Sequence, residues 1–296
     1  MAFGYNGTIF KVNLNKQTIL KEHPDPIFYR RYMGGWGFIA YYLLKELKPR
    51  VDPLSPDNIL IIAPGVVTGA PIAGSGRGAI GAKSPLTGGF GASEAGGYFS
   101  AEIKRAGCDC IIVEGRSEKP VYLWVEDGEL EIHDAEHLWG LDTGDTIDKI
   151  REEQNCPTAK AAVIGVAGEN LVRISCIMDC DKDAYGRGGL GAVMGSKKLK
   201  AIAAHGTLGV NVADAKKIEN YNRKLVKHLK ENPTELQLYG TGADLTGGVL
   251  SGNLPTRNFR DGDFPSPKRI SSKYWKEQGE LIGMEGCYAC PIRCKK

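Results

Sequence analysis

Residues 186–199 read GRGGLGAVMGSKKL, and residues 76–86 read GRGAIGAKSPL. Both stretches contain the pattern G-R-G-x-x-G, which matches the glycine fingerprint of dinucleotide-binding folds. That fingerprint also requires a long helix after the glycines and an acidic residue about 20 positions further on. Pro85 prevents a helix after the first stretch, and only a short helical segment follows the second. The pattern therefore disfavours a nicotinamide-binding βαβ fold.

The two stretches also share an arginine between the first two glycines, Arg77 in one and Arg187 in the other. Glycines allow backbone N–H groups to turn toward an anion, and a guanidinium group offers a planar fork for a phosphate or a polar heterocycle. The repeated arginine predicts two similar anionic groups, related by an internal pseudo-symmetry. In the alternative interpretation, both stretches are tight turns and the two arginines are solvated.

Gly96 and Gly97 precede a predicted helix with the sequence YFSAEIKRAG (98–107). A helix N-terminus that follows glycines is suited to binding an anion. Close packing of the helix against a sheet explains the same glycines, and both interpretations stay open.

Short apolar or alternating segments bounded by turn residues predict strands. These segments are residues 7–14, 58–65, 110–115, 121–135, 161–168, 171–179 and 199–206. Asp127-Gly128 predicts a hairpin turn. Helices are expected within 29–49 and over 143–154, the latter capped by Thr143 or Asp145. Because strands and helices do not alternate strictly, the predicted fold class is α+β, with a β-rich N-terminal domain containing two related sheets.

The character of the sequence changes near residues 208–212. A charged amphipathic helix follows, with Asp214 as its N-cap and an end before Pro233. We therefore predict two domains, a β-rich one over 1–210 and the start of a mainly helical one over 211–296. The second segment has several Gly and Pro breaks and would make a poor independent core.

The bulk composition is that of a globular, soluble protein. Of the 296 residues, 42% are hydrophobic and 25% are charged, and the formal net charge of +3 is too small to indicate nucleic-acid binding. The N-terminal sequence lacks the pattern of a signal peptide, and no apolar run is long enough to cross a membrane. A reducing cytoplasm is the expected compartment, where clustered cysteines indicate metal binding more often than disulfides.

Cys287, Cys290 and Cys294 have C-x2-C-x3-C spacing. Three clustered thiolates with a distant fourth ligand are typical of a cubane iron–sulfur cluster, whereas zinc sites use separated pairs. Zinc binding and unliganded thiols remain alternatives. The other five cysteines are interpreted as small buried hydrophobic residues. Among them, Cys108 and Cys110 are expected to share a strand face if the strand begins as early as residue 108, and Cys176 and Cys180 a helix face.

Five quoted motifs in this order carry a family resemblance: LSPDNILIIAPGVVTG, GAKSPLTGGFGASEAGGYFSAEIKRAGCDCIIVEG, GENLVRISCIMD, GRGGLGAVMGSKKLKAI and CYACPIRC. Together they resemble the tungsten-dependent aldehyde ferredoxin oxidoreductase family. The resemblance implies a β-rich pterin-binding domain that carries a tungsten bis-pterin, with magnesium bridging the pterin phosphates. It also implies a [4Fe–4S] cluster with the cysteine trio as three of its ligands.

Residue by residue, the resemblance assigns cofactor contacts to seven positions. Arg77 matches an arginine between pterin and cluster, whose implied role is to hydrogen-bond the pterin and tune electron transfer. Glu94 and Gly96 match a second pterin segment, and the third segment comprises Asp183, Ala184, Gly186 and Arg187. The resemblance places magnesium on the backbone carbonyls of Glu94 and Ala184. This chain departs from the family enzyme at Glu94 (Asn there) and at Asp183 (Arg there), and the second change removes a cationic phosphate contact.

The implied activity is oxidation of a small aldehyde to a carboxylic acid, with electrons passed through the cluster to ferredoxin or another electron-carrier subunit in an anaerobic cytoplasm. The resemblance identifies no catalytic residue here, and family members continue well beyond the cysteine trio. A fragment, a homo-oligomer and one chain of a split enzyme all stay open. Two alternatives are a subunit of the same family that acts as an aromatic acyl-CoA reductase, and a non-catalytic iron–sulfur or zinc electron-transfer module.

Overall fold

The computed structural model describes residues 3–180 and 182–295. The chain divides into two compact units, Met1–Ala213 and Asp214–Lys296. The first unit contains two mixed six-stranded sheets. No helix in the described part of the chain is both long enough and apolar enough to cross a membrane.

The first sheet has the strand order β2-β1-β6-β3-β4-β5. Its strands are β1 (Ile9–Asn13), β2 (Thr18–Glu22), β3 (Leu60–Pro64), β4 (Gly78–Lys83), β5 (Phe90–Ala95) and β6 (Cys110–Glu114). The second sheet has the order β8-β7-β12-β9-β10-β11. Its strands are β7 (Val121–Glu126), β8 (Glu129–Asp134), β9 (Lys160–Val163), β10 (Ile177–Asp179), β11 (Asp183–Tyr185) and β12 (Leu199–His205).

The two sheets have the same topology. Each strand of the second sheet occupies the place of the strand six numbers earlier in the first. The directions agree as well, because β1 pairs with β6 in parallel, β7 pairs with β12 in parallel, and the other neighbours in both sheets are antiparallel. The predicted α+β class with two related sheets is therefore confirmed. We call residues 9–114 the first half of this unit and residues 121–205 the second half.

Helices occupy equivalent places in the two halves. In each half a long helix leads into the third strand, preceded in the first half by a short helix, and another helix joins the fifth strand to the sixth. The helices of the first unit are α1 (Pro26–Tyr32), α2 (Gly35–Glu46), α3 (Phe99–Arg105), α4 (Thr143–Glu153), α5 (Val166–Glu169) and α6 (Leu190–Ser196), with a 3-10 turn at Glu136–Leu138. By this correspondence α2 matches α4, and α3 matches α6.

Strand alternation distributes apolar side chains into three core layers. In β6, Ile111 and Val113 join a central cluster between the sheets, while Cys110 and Ile112 face a cluster with α1 and α2. The second sheet repeats this arrangement, with one face in the central cluster and the other packed against α4. Both faces of each sheet therefore contribute residues to a buried cluster, and the central cluster also contains residues of α3 and α6.

The glycines of the first Gly-Arg-Gly stretch have a packing role that the sequence analysis did not separate from ligand binding. Gly78 and Gly81 lie inside β4, and a Cβ at Gly81 would collide with Ile39 of α2. Glycine therefore lets α2 approach the sheet closely. Neither β4 nor β5 was expected from the sequence, because glycine-rich segments have low strand propensity.

Several local predictions were wrong. The strand expected over 161–168 ends at Val163, where α5 follows, and only Ile177–Asp179 of the stretch 171–179 forms a strand. Cys108 precedes β6 and packs in the central cluster, whereas Cys110 packs in the cluster with α1 and α2, so these two thiols do not share a strand face. Cys176 and Cys180 flank strand β10 and do not share a helix. The N-cap of α4 is Asp142, whose carboxylate accepts from the backbone N–H of Asp145 at 2.9 Å.

The second unit is mainly helical. Its α7 begins after Asp214, whose side chain accepts from the backbone N–H of Lys217 at 2.9 Å, so the predicted cap is confirmed. Most side chains of this helix are solvent-accessible, and Leu229 is buried. The helices of this unit are α7 (Ala215–Glu231), α8 (Glu235–Tyr239), α9 (Leu245–Leu250) and α10 (Ser272–Glu277), with a 3-10 turn at Pro267–Ile270.

A buried lysine joins the two halves of the first unit. Lys197, which follows α6, is fully buried. Its ammonium group donates to three backbone carbonyls of the first half and its flanking turn, at 2.6 Å to Asn58, 3.0 Å to Gly115 and 3.4 Å to Pro56. Burial lowers the pKa of Lys197 from 10.5 to about 8, although Glu114 and Asp57 oppose this shift.

We expect Lys197 to make the free energy of unfolding depend on pH in the alkaline range. Between about pH 8 and 10.5 the unfolded chain binds more protons at this residue than the folded protein. The contribution of Lys197 to the free energy of unfolding therefore rises with pH across this window. Urea denaturation at several pH values should show this rise in the wild type minus Lys197→Met difference. A difference that is constant or falls over the same range would contradict the assignment.

Candidate functional site

The candidate site lies where equivalent edge strands of the two sheets meet. Strand β5 ends the first sheet and β11 ends the second, and these two strands contact each other. The first residue of β4, Gly78, pairs with Ala95, and the first residue of β10, Ile177, pairs with Tyr185. Ala95 and Tyr185 are therefore equivalent positions. By the same register Glu94 corresponds to Ala184 and Gly96 to Gly186, so the predicted cofactor segments 94–96 and 184–186 occupy matching places in the two halves.

This correspondence changes the pairing predicted from the sequence. The two Gly-Arg-Gly stretches were expected to be related by pseudo-symmetry, but the first leads into β4 and the second follows β11. The structural counterpart of Gly186 is Gly96, which follows β5. The pseudo-symmetry exists, whereas the proposed pairing of the two arginine stretches was wrong.

A pocket of about 470 Å³ opens at this junction. It is lined by Trp36, Ala92, Ser93, Glu94, Ala184, Gly186 and Arg187. Four of the seven residues assigned to cofactor contacts therefore line one cavity. Its walls come from both halves, since one part of the lining belongs to β5 and the other to β11 and the turn that follows it.

Arg77 lies beside this pocket. Its Nη1 atom is 3.8 Å from Oε2 of Glu94, and the two side chains are 68% and 46% exposed. Exposed ion pairs of this kind contribute about 0–1 kcal/mol to stability. The fold therefore does not depend on the pair, and both charges are accessible to a ligand.

Two hydrogen bonds hold the second Gly-Arg-Gly stretch against the first half. The backbone N–H of Arg187 donates to Oγ of Ser93 at 3.1 Å. The hydroxyl of Ser84 donates to the carbonyl of Gly188 at 2.7 Å. The two arginine-bearing turns consequently converge on β5 from opposite halves, and Arg187 and Glu94 line the same cavity.

The helix N-terminus after Gly96 and Gly97 already has an anion. The carboxylate of Asp179, from β10, accepts from the backbone N–H groups of Phe99 at 3.3 Å and Tyr98 at 3.5 Å. A Cβ at Gly97 would lie 2.8 Å from that carboxylate. The interpretation of these glycines as close-packing residues is therefore correct for Gly97.

Two of the predicted cofactor-binding residues lie outside the pocket lining. Gly96 is buried, and Asp183 is buried within β11.

The cysteine trio lies in a closed loop of the second unit. Glu285 and Lys295 exchange backbone hydrogen bonds of 2.7 and 3.0 Å, and the N–H of Cys290 donates to the carbonyl of Cys287 at 3.1 Å. Ala289 and Arg293 both have φ of 53°, in the left-handed region that non-glycine residues rarely adopt. Such backbone strain is concentrated at ligand-binding loops.

The three thiols are partly exposed and free of disulfides. Within residues 3–180 and 182–295, however, no group of three or more His, Cys, Asp or Glu side chains is positioned to hold a metal ion. The donor chemistry of the loop fits an iron–sulfur cluster, which needs four thiolate-type ligands, and the loop supplies three.

Cys108 and Cys110 are fully buried, and burial raises the pKa of both thiols. Burial also raises the pKa of Cys180 to about 12. Cys108 and Cys110 therefore act as small buried apolar side chains, as predicted, whereas Cys156, Cys176 and Cys180 are partly exposed, contrary to the prediction.

Trp36 and Ser93 were missed by sequence reasoning. Trp36 reaches the pocket because α2 packs on β3 and β4 and its first turn meets Phe90 of β5, and Ser93 because its strand lies at the sheet edge. The Gly-Gly-Trp-Gly sequence at 34–37 was an available signal for Trp36. No local pattern, though, connects residue 36 with residues 92–94.

The comparisons with known proteins identify the class. Residues 9–206 match the family model "Aldehyde ferredoxin oxidoreductase, N-terminal domain", and residues 220–296 match "Aldehyde ferredoxin oxidoreductase, domains 2 & 3". The chain belongs to the aldehyde ferredoxin oxidoreductase family and resembles oxidoreductase enzymes.

Individual relatives agree with this assignment. The chain is 43% identical over 300 residues to the tungsten-containing aldehyde ferredoxin oxidoreductase of Pyrococcus furiosus, covering 99% of this chain and 49% of that protein. It is 32% identical to the aliphatic sulfonate oxidoreductase, WOR-like subunit, of the same organism, with 99% and 49% coverage. The chain thus spans about half the length of the curated relatives it matches.

A solved structure has the same fold. It is the active site complex BamBC of benzoyl coenzyme A reductase with 1,5 dienoyl-CoA, matched with a TM-score of 0.82 and 33% identity. The match covers 99% of this chain and 47% of that chain.

Two glycines of one turn should respond differently to substitution. Gly186 has open space where a Cβ would lie, whereas Gly189 has φ of 68° and its Cβ would collide with the carbonyl of Arg173. We expect Gly186→Ala to change the free energy of unfolding by less than about 0.5 kcal/mol. Gly189→Ala should lower it by at least about 1–3 kcal/mol through backbone strain. Denaturant unfolding of both variants tests this, and equal losses would contradict the described turn.

Proposed function

We propose that the protein is, or forms part of, an oxidoreductase that oxidises aldehydes to carboxylic acids with a tungsten bis-pterin cofactor. In this proposal, electrons pass through a [4Fe–4S] cluster to ferredoxin or another electron-carrier subunit. The observation that supports it most directly is the pocket at the β5–β11 junction. This pocket brings together Glu94 from the first half and Ala184, Gly186 and Arg187 from the second half. The resemblance assigns cofactor contacts to these four residues, and they lie in the part of the chain that matches the family's N-terminal domain.

The residues around the pocket fit phosphorylated pterins. Arg77 and Arg187 supply two guanidinium groups, which bind phosphate well. The open space at Gly186 allows a ligand to approach the backbone closely. We propose Arg77, Glu94, Gly96, Asp183, Ala184, Gly186 and Arg187 as the cofactor-binding set. Because Gly96 and Asp183 are buried, their proposed contribution is to hold the backbone on each side of the pocket.

The equivalence of Glu94 and Ala184 supports the proposed magnesium site. Two matching positions on matching edge strands would present their carbonyl groups symmetrically. Magnesium prefers oxygen ligands and commonly bridges phosphates. A cation held by one carbonyl from each half would therefore suit two identical phosphorylated cofactor units.

When bound, tungsten would supply the two-electron redox chemistry of aldehyde oxidation. The residues of this chain would hold the pterin phosphates, orient the rings and set the local charge. The ion pair between Arg77 and Glu94 would moderate the positive charge that a phosphate meets. We assign no acid or base catalyst to this chain.

We propose that Cys287, Cys290 and Cys294 supply three of the four cluster ligands. The strained, closed loop that carries them supports this role. In this proposal, residues 1–210 form the tungstopterin-binding domain, and residues 211–296 begin the helical domain. A reducing cytoplasm, which we propose as the compartment, would keep these thiols available for iron.

A second candidate function is that of a subunit in an aromatic acyl-CoA reductase. The structural match to the BamBC complex favours it, since this match covers 99% of the chain. The two candidates would share the pterin-binding domain and differ in substrate and electron partner. Activity assays with the two kinds of substrate can therefore distinguish the two candidates, whereas the pocket described above fits both.

Anaerobic purification followed by elemental analysis tests the proposal. We expect tungsten or molybdenum together with iron, pterin in the same fractions, and aldehyde-dependent reduction of a viologen dye. Metal and pterin with dye-linked activity towards an aromatic acyl-CoA, and none towards aldehydes, would favour the second candidate. Zinc without iron or pterin would contradict both.

Arg77→Ala should lower the pterin and tungsten content of the purified protein severalfold, because a guanidinium group that would hydrogen-bond the pterin beside the pocket is lost. Its melting temperature should stay within a few degrees of wild type, since the side chain is 68% exposed. Arg223→Ala is a matched control, because Arg223 also pairs with a carboxylate and is 70% exposed, but lies on α7. Unchanged cofactor content in Arg77→Ala would refute the role.

Cys290→Ser should remove most of the iron and the broad visible absorption near about 400 nm expected of iron–sulfur chromophores. Cys156→Ser provides the control, because Cys156 is also a partly exposed free cysteine but lies in the first unit. Iron content is measured per protein chain after anaerobic purification. Full retention of iron in Cys290→Ser would exclude this cysteine as a ligand.

A further inference from the structure

The pocket has two chemically different ends. On the face of β5 that meets the cluster with α1 and α2, Phe90, Ala92 and Glu94 follow one another at alternate positions, and all three are at least partly exposed. Four strand residues span on the order of 13 Å. Within the lining, Glu94 marks a charged end with Arg77 beside it, and Trp36 marks an aromatic end with Phe90 beside it.

Trp36 belongs to the aromatic end. Its indole lines the pocket, and its ring centroid is 6.0 Å from that of Phe90 with the planes tilted by 54°. Half of the Trp36 side chain is exposed to solvent. A large aromatic side chain at the wall of a cavity, rather than within the core, is typical of a ligand-binding surface.

The backbone fixes the position of this indole. Trp36 is the second residue of α2, and the preceding Gly34 forms a bridge with Gly65 at the end of β3. A Cβ at Gly37 would collide with the carbonyl of Tyr32, so the turn between α1 and α2 is tightly packed. Trp36 therefore stands on a rigid support, and binding would require little ordering of its backbone.

The aromatic end also distinguishes the two halves. Helix α4 takes the place of α2 in the second half, and its second residue is Gly144. The indole is thus present at the start of one helix and has no side-chain counterpart at the start of the other. The pocket offers similar backbone positions from both halves but an aromatic wall from the first half.

We propose that Trp36 is a ligand-binding residue whose indole lies against the planar ring system of one pterin. In this arrangement the phosphate of the same pterin faces the charged end, near Arg77 and Arg187. The inference rests on the proposed function and extends it, because none of the cofactor contacts assigned above involves an aromatic side chain. Flat heteroaromatic rings stack on indole through their π faces.

The test measures how fast the holoprotein loses pterin. Wild type and variants are purified anaerobically with cofactor, diluted, and sampled over time, and the released pterin is quantified by the fluorescence of its oxidised form. Trp36→Ala should lose pterin about tenfold faster than wild type, which is the effect expected when one stacking partner is removed. Trp36→Phe should stay within about twofold of wild type, because it retains an aromatic face.

Leu44→Ala is the control for α2, since Leu44 is on the same helix, is 87% exposed and does not line the pocket. It should release pterin at the wild-type rate. Thermal unfolding of each variant, compared after removal of cofactor, separates pterin loss from loss of fold.

Three results would overturn the inference, and they have different meanings. Wild-type release rates in Trp36→Ala would show that the indole does not contact the pterin, while leaving the proposed function intact. Equally fast release from Trp36→Phe and Trp36→Ala would exclude aromatic stacking. A wild-type protein that is purified without any pterin would remove the proposed function itself, and the inference with it.

Discussion

The meeting of β5 and β11 is the constraint on which the site depends. An edge strand leaves backbone groups on one side without a neighbour in its own sheet. Here two equivalent edges come together, and buried contacts hold them across the halves. The Ser100 and Tyr185 hydroxyls lie 2.8 Å apart within hydrogen-bonding distance, and Asp179 caps α3 from the other sheet. Without these contacts Glu94 of β5 and Arg187 of the turn after β11 would not line one cavity.

Much of the sheet architecture could be predicted from sequence, because alternation marks strands such as 7–14 and Asp127-Gly128 marks a hairpin. Strands β4 and β5 could not, since glycine has low strand propensity and these glycines serve close packing, as Gly81 does against α2. Recognising the repeated topology requires pairings such as Ile9 with Cys110, which lie far apart in sequence. The repeated Gly-Arg-Gly motif therefore pointed correctly to the region of the pocket, but it suggested that residues 76–78 and 186–188 are equivalent, whereas Gly186 is equivalent to Gly96.

The candidate site shows a similar division. The family resemblance selected Glu94, Ala184, Gly186 and Arg187, and these residues line one pocket. Local sequence could not reveal that Arg77 faces Glu94, because that contact depends on the register of β4 with β5. Nor could it show that the anion at α3 is Asp179, a residue from the other half.

The position of β6 and β12 has a consequence for how the chain is made. In each half the last strand synthesised inserts between strands formed earlier, β6 between β1 and β3, and β12 between β7 and β9. During synthesis on the ribosome, each sheet therefore lacks an internal strand until its final strand emerges. Such long-range closure is slow and leaves apolar strand faces uncovered in the meantime. We therefore expect the nascent chain to expose apolar strand faces that chaperones could protect at two stages, before β6 is added and before β12 is added.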